Sequence, residues 1–170
     1  MKVKEVMTRE VKTCAPETDL ADAAKSMWMR NCGVLPVVAE GIVVGMITGR
    51  DIGIATGCRR RDPATILVSE VMIRKVHSCS PEADIREALQ IMQQKQVRRL
   101  PVIDSAGKLC GLLSMNDIAL KAQLDAKAAE LGGQDVHATL KSICAHRHGA
   151  EERTQAQQQP RAKGQKVAAA

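Results

Sequence analysis

Apolar residues recur with a helical period in two separate stretches of the chain. They occupy successive positions three, four and seven residues apart, and an acidic residue that can cap a helix precedes each stretch, namely Asp19 and Asp84. This spacing predicts two amphipathic helices. Their apolar faces consist of Leu20, Ala23, Ala24 and Met27 in the first stretch and Ile85, Ala88, Leu89 and Met92 in the second.

Each predicted helix is followed by two short apolar runs that are separated by a turn. The first runs are residues 35–38 and 100–103, each with a proline near its start, where the missing N–H does least harm to a strand. The second runs lie in the glycine-containing segments 41–52 and 107–118. The pattern predicts a hairpin after each helix and a further helix that begins at or near Asp51 and Asp117. A short extended piece, residues 11–14 in the first case, precedes each unit's first helix.

The chain is therefore an internal repeat. Val6-Met7 recurs as Val71-Met72, 65 residues later, and one inserted residue near position 105 shifts the glycine segments to an offset of 66. The predicted fold class is α+β, with two βαββα units and a short C-terminal helical extension. The predicted boundaries are residues 1–60 for unit 1, 61–131 for unit 2, 132–145 for a short helix and 146–170 for a disordered basic tail. Within unit 2, helix is predicted to continue over residues 118–131.

Composition narrows the ways in which such a fold can bind a ligand. Hydrophobic residues make up 45% of the 170-residue chain, enough for a packed core, but Trp28 is the only aromatic residue of the Phe, Trp and Tyr set. A ring-shaped ligand must therefore sit between aliphatic side chains. The shortage of aromatics also argues against nucleic-acid binding by base stacking.

The net charge of +6 is concentrated at the C-terminal end. Residues 145–170 contain five Lys and Arg residues against two Glu residues, and this region is low in apolar content. A solvated, disordered tail is the simplest interpretation, and a basic patch for an acidic partner is the alternative. Cys144, His146 and His148 form a C-x-H-x-H pattern, but three ligands on a chain end make a weak metal site, and no metal is expected.

The six cysteines contain no C-x-x-C pair, and most lie within apolar runs, where a free thiol behaves as a small hydrophobe. No signal peptide core or membrane-length apolar run occurs in the sequence. A reduced, cytoplasmic location and the absence of membrane partners are therefore predicted.

The two glycine segments carry the candidate chemistry. Both read glycine, three residues, glycine, two apolar residues, a hydroxyl residue, two residues, Asp and Ile. The polar pairs are Thr48 with Asp51 and Ser114 with Asp117. Either Asp could simply cap the following helix. Alternatively, its carboxylate could accept hydrogen bonds from a ribose diol, with the hydroxyl residue serving ribose or phosphate, and both roles are compatible.

With these motifs in register, residues 3–122 resemble the tandem CBS-domain proteins, the two-copy Bateman module, here of the stand-alone type. The resemblance rests on the two Val-Met starts, the two Leu-Pro-Val strands and the two glycine segments. It implies two units related by a pseudo-two-fold axis with clefts between them. It further implies adenosine-containing ligands in the clefts, with AMP, ADP or ATP favoured and S-adenosylmethionine or NAD as further candidates.

The resemblance also implies which residues contact such a ligand. Asp51 and Asp117 correspond to the ribose-binding residues, and Thr48 and Ser114 to the hydroxyl residues. The phosphate candidates are Arg50, Arg98, Arg99 and Asn116. The candidates for the base pocket are Thr13, Cys14, Pro16, Val34, Leu35 and Pro36 in the first unit and Ser78, Cys79, Pro81, Leu100 and Pro101 in the second.

The sequence thus predicts a non-catalytic regulatory module that senses an adenine nucleotide, forms a homodimer and acts on an unidentified effector protein. The alternative is a dimerising scaffold with empty clefts and a basic, partner-binding tail. An enzyme is disfavoured because the sequence has no nucleophile–base pair and no phosphate-binding loop of the GxxxxGK[ST] type.

Overall fold

The computed structural model of the protein describes residues 1–122 and 131–145. It contains two small antiparallel sheets and five α-helices in these ranges, and it confirms the predicted α+β class. The elements are α1 Leu20–Met29, β1 Val34–Ala39, β2 Ile42–Thr48, α2 Gly49–Arg59, α3 Ile85–Lys95, β3 Arg99–Ile103, β4 Leu109–Ser114, α4 Met115–Lys121 and α5 Gly133–Cys144.

Each sheet is a hairpin with an isolated bridge along the outer side of each strand, and a further bridge joins Ile42 of the first hairpin to Lys108 of the second unit. Strand β1 pairs with β2, and β3 pairs with β4, each with a bulge at the residue directly before the second motif glycine. On the outer side of β1, Cys14 forms a parallel bridge to Val37, and Cys79 forms the equivalent bridge in unit 2. The predicted extended pieces before the first helices therefore become short additional strands.

The hydrophobic packing crosses the boundary predicted between the units. Residues 3–7 pack in the cluster that contains α3, β3, β4 and α4, whereas residues 66–72 pack in the cluster that contains α1, β1, β2 and α2. Hydrogen bonds fix the exchange, since the Val3 amide donates to Ala83 O and the Val68 amide donates to Thr18 O. Each Val-Met segment thus completes the core of the other half of the repeat.

The second glycine of each motif is required because that exchanged segment lies directly on the strand. A Cβ atom at Gly45 would lie 2.6 Å from Met72 Sδ, and one at Gly111 would lie 2.7 Å from Met7 Sδ and 2.8 Å from the Thr8 carbonyl oxygen. Real Cβ atoms do not approach other heavy atoms so closely. The glycines permit the Val-Met segments to close over β2 and β4.

Helix α5 covers unit 2. Its Thr139 is fully buried and accepts a hydrogen bond from Gln93 Nε2 of α3 at 2.7 Å, while Ser142 Oγ donates to Gln93 O at 3.2 Å. Of the predicted helix over residues 118–131, residues 118–121 are helical as the last part of α4, whereas Ala122 is extended and Leu131 lies outside a helix, before α5. Residues 123–130 of that prediction lie outside the described residues. The buried Leu131 and part-buried Ala122 both pack on the cluster of unit 2. The predictions for residues 146–170 lie outside the described residues.

Candidate functional site

The strand-to-helix junction of unit 1, residues 48–51, is called the Asp51 corner below. Thr48 caps α2 through its side chain, which accepts a hydrogen bond from the Asp51 amide at 3.2 Å. Asp51 Oδ2 accepts in return from the Thr48 amide at 3.1 Å and from Thr48 Oγ1 at 2.6 Å. This reciprocal capping box fixes the carboxylate on a part-buried helix start.

The corresponding junction of unit 2, residues 114–117, is called the Asp117 corner. Ser114 caps α4, and Asp117 Oδ2 accepts from the Ser114 amide at 2.8 Å and from Ser114 Oγ at 2.6 Å. In addition, Asp117 Oδ1 accepts a hydrogen bond from Thr8 Oγ1 at 3.2 Å. The two corners share one capping arrangement, but only the second involves a residue from the N-terminal segment.

The predicted capping role of the two Asp residues requires correction. The hydroxyl residue is the N-cap, and each Asp is the third residue of its helix, since α2 begins at Gly49 and α4 at Met115. The only hydroxyl proton of Thr48 or Ser114 is donated to its own Asp. In this arrangement the hydroxyl can accept a hydrogen bond from a ligand, whereas the donors for a phosphate must come from elsewhere.

Two of the four phosphate candidates differ in where their guanidinium groups lie. Arg99 Nη2 reaches from unit 2 to unit 1, where it lies 3.8 Å from the position of a Cβ atom on Gly33. The Gly33 carbonyl oxygen accepts a hydrogen bond from the Gly49 amide, so Arg99 lies beside the start of α2. Arg98 points elsewhere, with Nη2 at 3.8 Å from Cys144 Sγ on α5.

The remaining phosphate candidates are Arg50 and Asn116, the exposed second residues of α2 and α4. Among the described residues, neither the Arg50 nor the Arg99 side chain forms a hydrogen bond or ion pair. Both cations are therefore available to an anionic group near the Asp51 corner, while the Asp117 corner has the neutral Asn116 at the equivalent position.

Many backbone and side-chain groups of the predicted base pocket have other partners. The side chains of Leu35 and Leu100 are fully buried in the two cores. Seven further candidates have backbone groups that already form hydrogen bonds within the fold, or side chains that are buried. They are Cys14, Cys79, Pro16, Pro81, Val34, Pro36 and Pro101.

The backbone groups of these residues form hydrogen bonds within the sheets and with the exchanged segments. The amide and carbonyl groups of Cys14 bond to Pro36 O and the Val38 amide, and the equivalent groups of Cys79 bond to Pro101 O and the Ile103 amide. The carbonyl oxygens of Pro16 and Pro81 accept from amides of the exchanged segments. Thr13 and Ser78 remain part-exposed. Because backbone groups alternate in direction along a strand, these two residues are the better candidates for contact with a base.

Burial raises the pKa of the Cys14 and Cys79 thiols to about 11. Both thiols therefore stay protonated near neutral pH and behave as apolar packing groups rather than nucleophiles. All six cysteines are free. The cytoplasmic location inferred from cysteine usage remains a prediction.

A groove of about 410 Å³ lies on the helical face of unit 1, and Gly49 of the Asp51 corner forms part of its lining. Trp28 on its rim is 83% exposed, and the neighbouring Met29 is 68% exposed. The groove is lined by Ala24, Met27, Trp28, Asn31, Cys32, Gly33, Gly49 and Ile52. An exposed aromatic beside a groove is typical of an interaction surface.

One contact of the candidate site was not predicted from the sequence, namely that of Thr8 with Asp117. The available signal was a break in the repeat, because Val6-Met7 is followed by Thr8 whereas Val71-Met72 is followed by Ile73. A residue that differs between the two copies directly after the shared Val-Met pair could have been singled out on that ground. Its partner depends on the exchange of segments, which the pattern of apolar residues does not reveal.

Metal ligands are not brought together within residues 1–122 and 131–145, where no group of three or more His, Cys, Asp and Glu side chains could hold a metal ion. Of the C-x-H-x-H pattern, Cys144 is described, and His146 and His148 lie outside the described residues.

The geometry and the sequence comparisons identify the same class of protein. The chain belongs to the CBS domain family, which matches residues 3–52 and 68–122, and its structural relatives are CBS-domain pairs. The paired units and the tandem arrangement predicted from the repeat are thereby confirmed. The two matched ranges begin within the exchanged Val-Met segments, and they end inside α2 in the first unit and just after α4 in the second.

Among its relatives, the chain is 36% identical over 139 residues to the CBS domain-containing protein YhcV of Bacillus subtilis, covering 79% of this chain and 98% of that protein. It is similar to the crystal structure of Hypoxic Response Protein I with two coordinated zinc ions. That similarity has a TM-score of 0.66 and 31% identity, and it covers 72% of this chain and all of the other.

The chain also resembles the CBS domain pair of protein MJ0100, solved in complex with 5′-methylthioadenosine and S-adenosyl-L-methionine. The TM-score is 0.65 and the identity is 25%, with 71% of this chain and 94% of that chain covered. In the part of the chain that is described, no helix has the length and apolar character needed to cross a membrane.

Proposed function

We propose that the protein is a non-catalytic regulatory module that binds an adenosine-containing ligand in a cleft between its two units. AMP, ADP and ATP are the first candidates, and S-adenosylmethionine and NAD are the next. The proposal is supported by the CBS family membership and by a structural relative that was solved with two adenosine-containing ligands.

The observation that carries the proposal is the uncommitted oxygen of Asp51. Its Oδ2 atom is held by the Thr48 amide and hydroxyl, and among the described residues no group donates to Oδ1. The cap thus presents an oriented carboxylate oxygen at the surface of the corner. A hydrogen bond from a ribose hydroxyl to such an oxygen contributes about 1.5–3 kcal/mol when it is shielded from water.

The rest of an adenosine ligand has suitable surroundings. The chain has no Phe or Tyr, so the base would be held by aliphatic side chains, and its polar edge would bond to backbone groups near Thr13 or Ser78. Arg50 and Arg99 are available to a phosphate. Because the ligand would touch both units, its binding would alter how they sit together, which is a suitable signal for an effector protein.

Thermal unfolding of the full chain with each candidate ligand tests the proposal. A ligand that binds only the folded state adds about 2.7 kcal/mol of stability at a hundredfold excess over Kd, a shift that is easily measured. We expect at least one of AMP, ADP, ATP, S-adenosylmethionine and NAD to raise the unfolding midpoint. If none does so at millimolar concentration, the proposal is wrong.

A second candidate function, a dimerising scaffold, is favoured by the open helical face of unit 1. Trp28 and Met29 are both strongly exposed there, beside the groove between α1 and α2. In this alternative the clefts are empty, two chains pair through these faces, and the basic residues beyond position 145 recruit an acidic partner. A homodimer is compatible with ligand sensing as well.

Trp28→Glu separates the pairing of chains from ligand binding. Because the side chain is 83% exposed, the variant should fold normally. If the face forms a dimer, light scattering should show a dimer for the wild type and a monomer for the variant. The emission maximum of the chain's only Trp should also shift to shorter wavelength as wild-type protein is concentrated. An unchanged mass in the variant would exclude this face as the dimer interface. Truncation at position 145 tests the tail separately.

A further inference from the structure

The two motif corners differ in ways that assign them different roles. We propose that the Asp51 corner is the one that binds the ligand, that the ligand carries a phosphate, and that Thr8 occupies the Asp117 corner as an internal substitute for a ribose hydroxyl. This inference rests on the proposed function and specifies which of the two sites performs it.

The first argument is an inventory of acceptor sites. A carboxylate offers about four lone-pair positions, two on each oxygen. In both corners, Oδ2 accepts two hydrogen bonds from the capping residue. Asp51 therefore keeps both positions on Oδ1, which matches the two hydroxyl groups of a ribose. Asp117 has already used one of these positions for Thr8, so it can serve only one further donor.

The difference follows from one substitution within the repeat. Thr8 and Ile73 occupy the same register, because Thr8 exchanges backbone hydrogen bonds with Leu112 exactly where Ile73 exchanges them with Met46. At this edge the Thr hydroxyl points to the carboxylate of Asp117. Ile73 has no donor to offer to Asp51, so the Oδ1 atom of the first corner stays open.

The charges differ in the same direction. The Asp51 corner has Arg50 in its own helix and receives the Arg99 guanidinium from unit 2 beside Gly33. At the positions that the repeat relates to these two cations, the Asp117 corner has Asn116 and the buried, apolar Val34. Two unpaired cations beside one helix N-terminus favour an anionic group. The backbone of Arg98 lies beside the start of α4, but its guanidinium is directed to Cys144 Sγ on α5.

Together, the acceptor inventory and the charges predict a preference among adenosine ligands. A nucleotide such as AMP would use the carboxylate for its ribose and the two arginines for its phosphate. 5′-Methylthioadenosine has the same ribose and base without the phosphate, and so it would lose the second group of contacts. The site is therefore expected to favour AMP over 5′-methylthioadenosine.

Isothermal titration of the full chain with AMP and with 5′-methylthioadenosine tests the assignment. Asp51→Asn and Asp117→Asn form a matched pair, since Asn retains an oxygen that can accept from the capping amide. We expect Asp51→Asn to weaken AMP binding about ten- to a hundredfold and Asp117→Asn to change it less than threefold. Arg99→Val should weaken AMP binding about tenfold and leave binding of 5′-methylthioadenosine unchanged.

A reciprocal exchange tests the role of Thr8. Thr8→Val should free the second oxygen of Asp117 and add weaker binding at that corner, which would appear as a higher stoichiometry. Ile73→Thr should reduce AMP affinity at the Asp51 corner. If Asp117→Asn abolishes binding while Asp51→Asn does not, or if Arg99→Val weakens both ligands equally, the assignment is wrong although the proposed function stands. Absence of binding by the wild-type chain overturns both.

Discussion

The two units carry the same helices, but what covers those helices differs. In unit 2, α5 lies on α3 and buries Thr139 against Gln93. In unit 1, the repeat places Trp28 at the position of Gln93, and that side chain is 83% exposed. One half of the repeat thus satisfies its helical face within the chain, whereas the other leaves an aromatic residue and a groove open to solvent.

This contrast shows how a duplicated unit can take on separate tasks without a change of fold. In unit 2 the helices are covered and the oxygen of Asp117 is engaged by Thr8. In unit 1 the helical face is open and the oxygen of Asp51 is free. Unit 2 therefore has the features expected of a structural scaffold, and unit 1 has the features expected of a binding surface.

The largest expected effect concerns the glycines over which the exchanged segments close. At Gly111, an added Cβ would meet the Thr8 carbonyl oxygen at 2.8 Å, and this backbone atom cannot turn aside. At Gly45 the closest atom is Sδ of the flexible Met72 side chain, and the backbone carbonyl oxygen of Ile73 is farther away, at 3.3 Å. We expect Gly111→Ala to lower the free energy of unfolding by about 3 kcal/mol and Gly45→Ala by about 1 kcal/mol.

Urea denaturation of both variants measures this difference, and each serves as the control for the other. Equal losses would indicate that the backbone at Thr8 gives way as easily as the Met72 side chain. In that case the exchanged segments of both units would tolerate an added methyl group equally well. The contrast between the units would then be confined to their helical faces and corners.

The sequence was informative wherever a local pattern determined the structure. The helical periods predicted α1 and α3, and the glycine segments correctly predicted a strand that turns into a capped helix. Apolar periodicity shows that a residue is buried but not against which neighbour. The exchange of the Val-Met segments, and with it the contact of Thr8 with Asp117, therefore could not be predicted, because it depends on tertiary register.

The position of Arg99 is a second example. The sequence predicts this residue as a phosphate candidate in unit 2, and its backbone pairs with Ser114 in the hairpin of that unit. In the structure its guanidinium lies beside Gly33 of unit 1. A long side chain at the first residue of a strand can reach across the pseudo-two-fold axis, and only the relative placement of the units decides which corner it serves.

A smaller effect is expected at the helical faces, where Gln93→Ala and Trp28→Ala alter equivalent positions. Gln93→Ala removes the hydrogen bond to the buried Thr139 hydroxyl and should lower the free energy of unfolding by about 1–2 kcal/mol. Trp28→Ala should change it by less than about 0.5 kcal/mol, because the side chain is exposed.

Both values are to be measured by urea denaturation in dilute protein, so that association of chains does not contribute. A large loss for Trp28→Ala under these conditions would mean that the face of unit 1 is covered within the chain.

The smallest effect concerns acid stability, and it again separates the halves. Hydrogen bonds from Lys2 and Lys4 hold the pKa of Glu82 at about 2, below its usual 4.5, whereas the repeat-related Glu17 forms no ion pair among the described residues. A carboxyl group with a lowered pKa in the folded state contributes its full stabilisation at pH values above its pKa in the unfolded chain. This stabilisation is lost as the pH falls from about 4.5 to 2.

Thermal unfolding between pH 6 and 2.5 should therefore show a shallower acid-induced loss of stability for Glu82→Gln than for wild type. Glu17→Gln should follow wild type. Because Glu82 is exposed, added salt should reduce the difference, and a salt-independent difference would contradict an ionic origin.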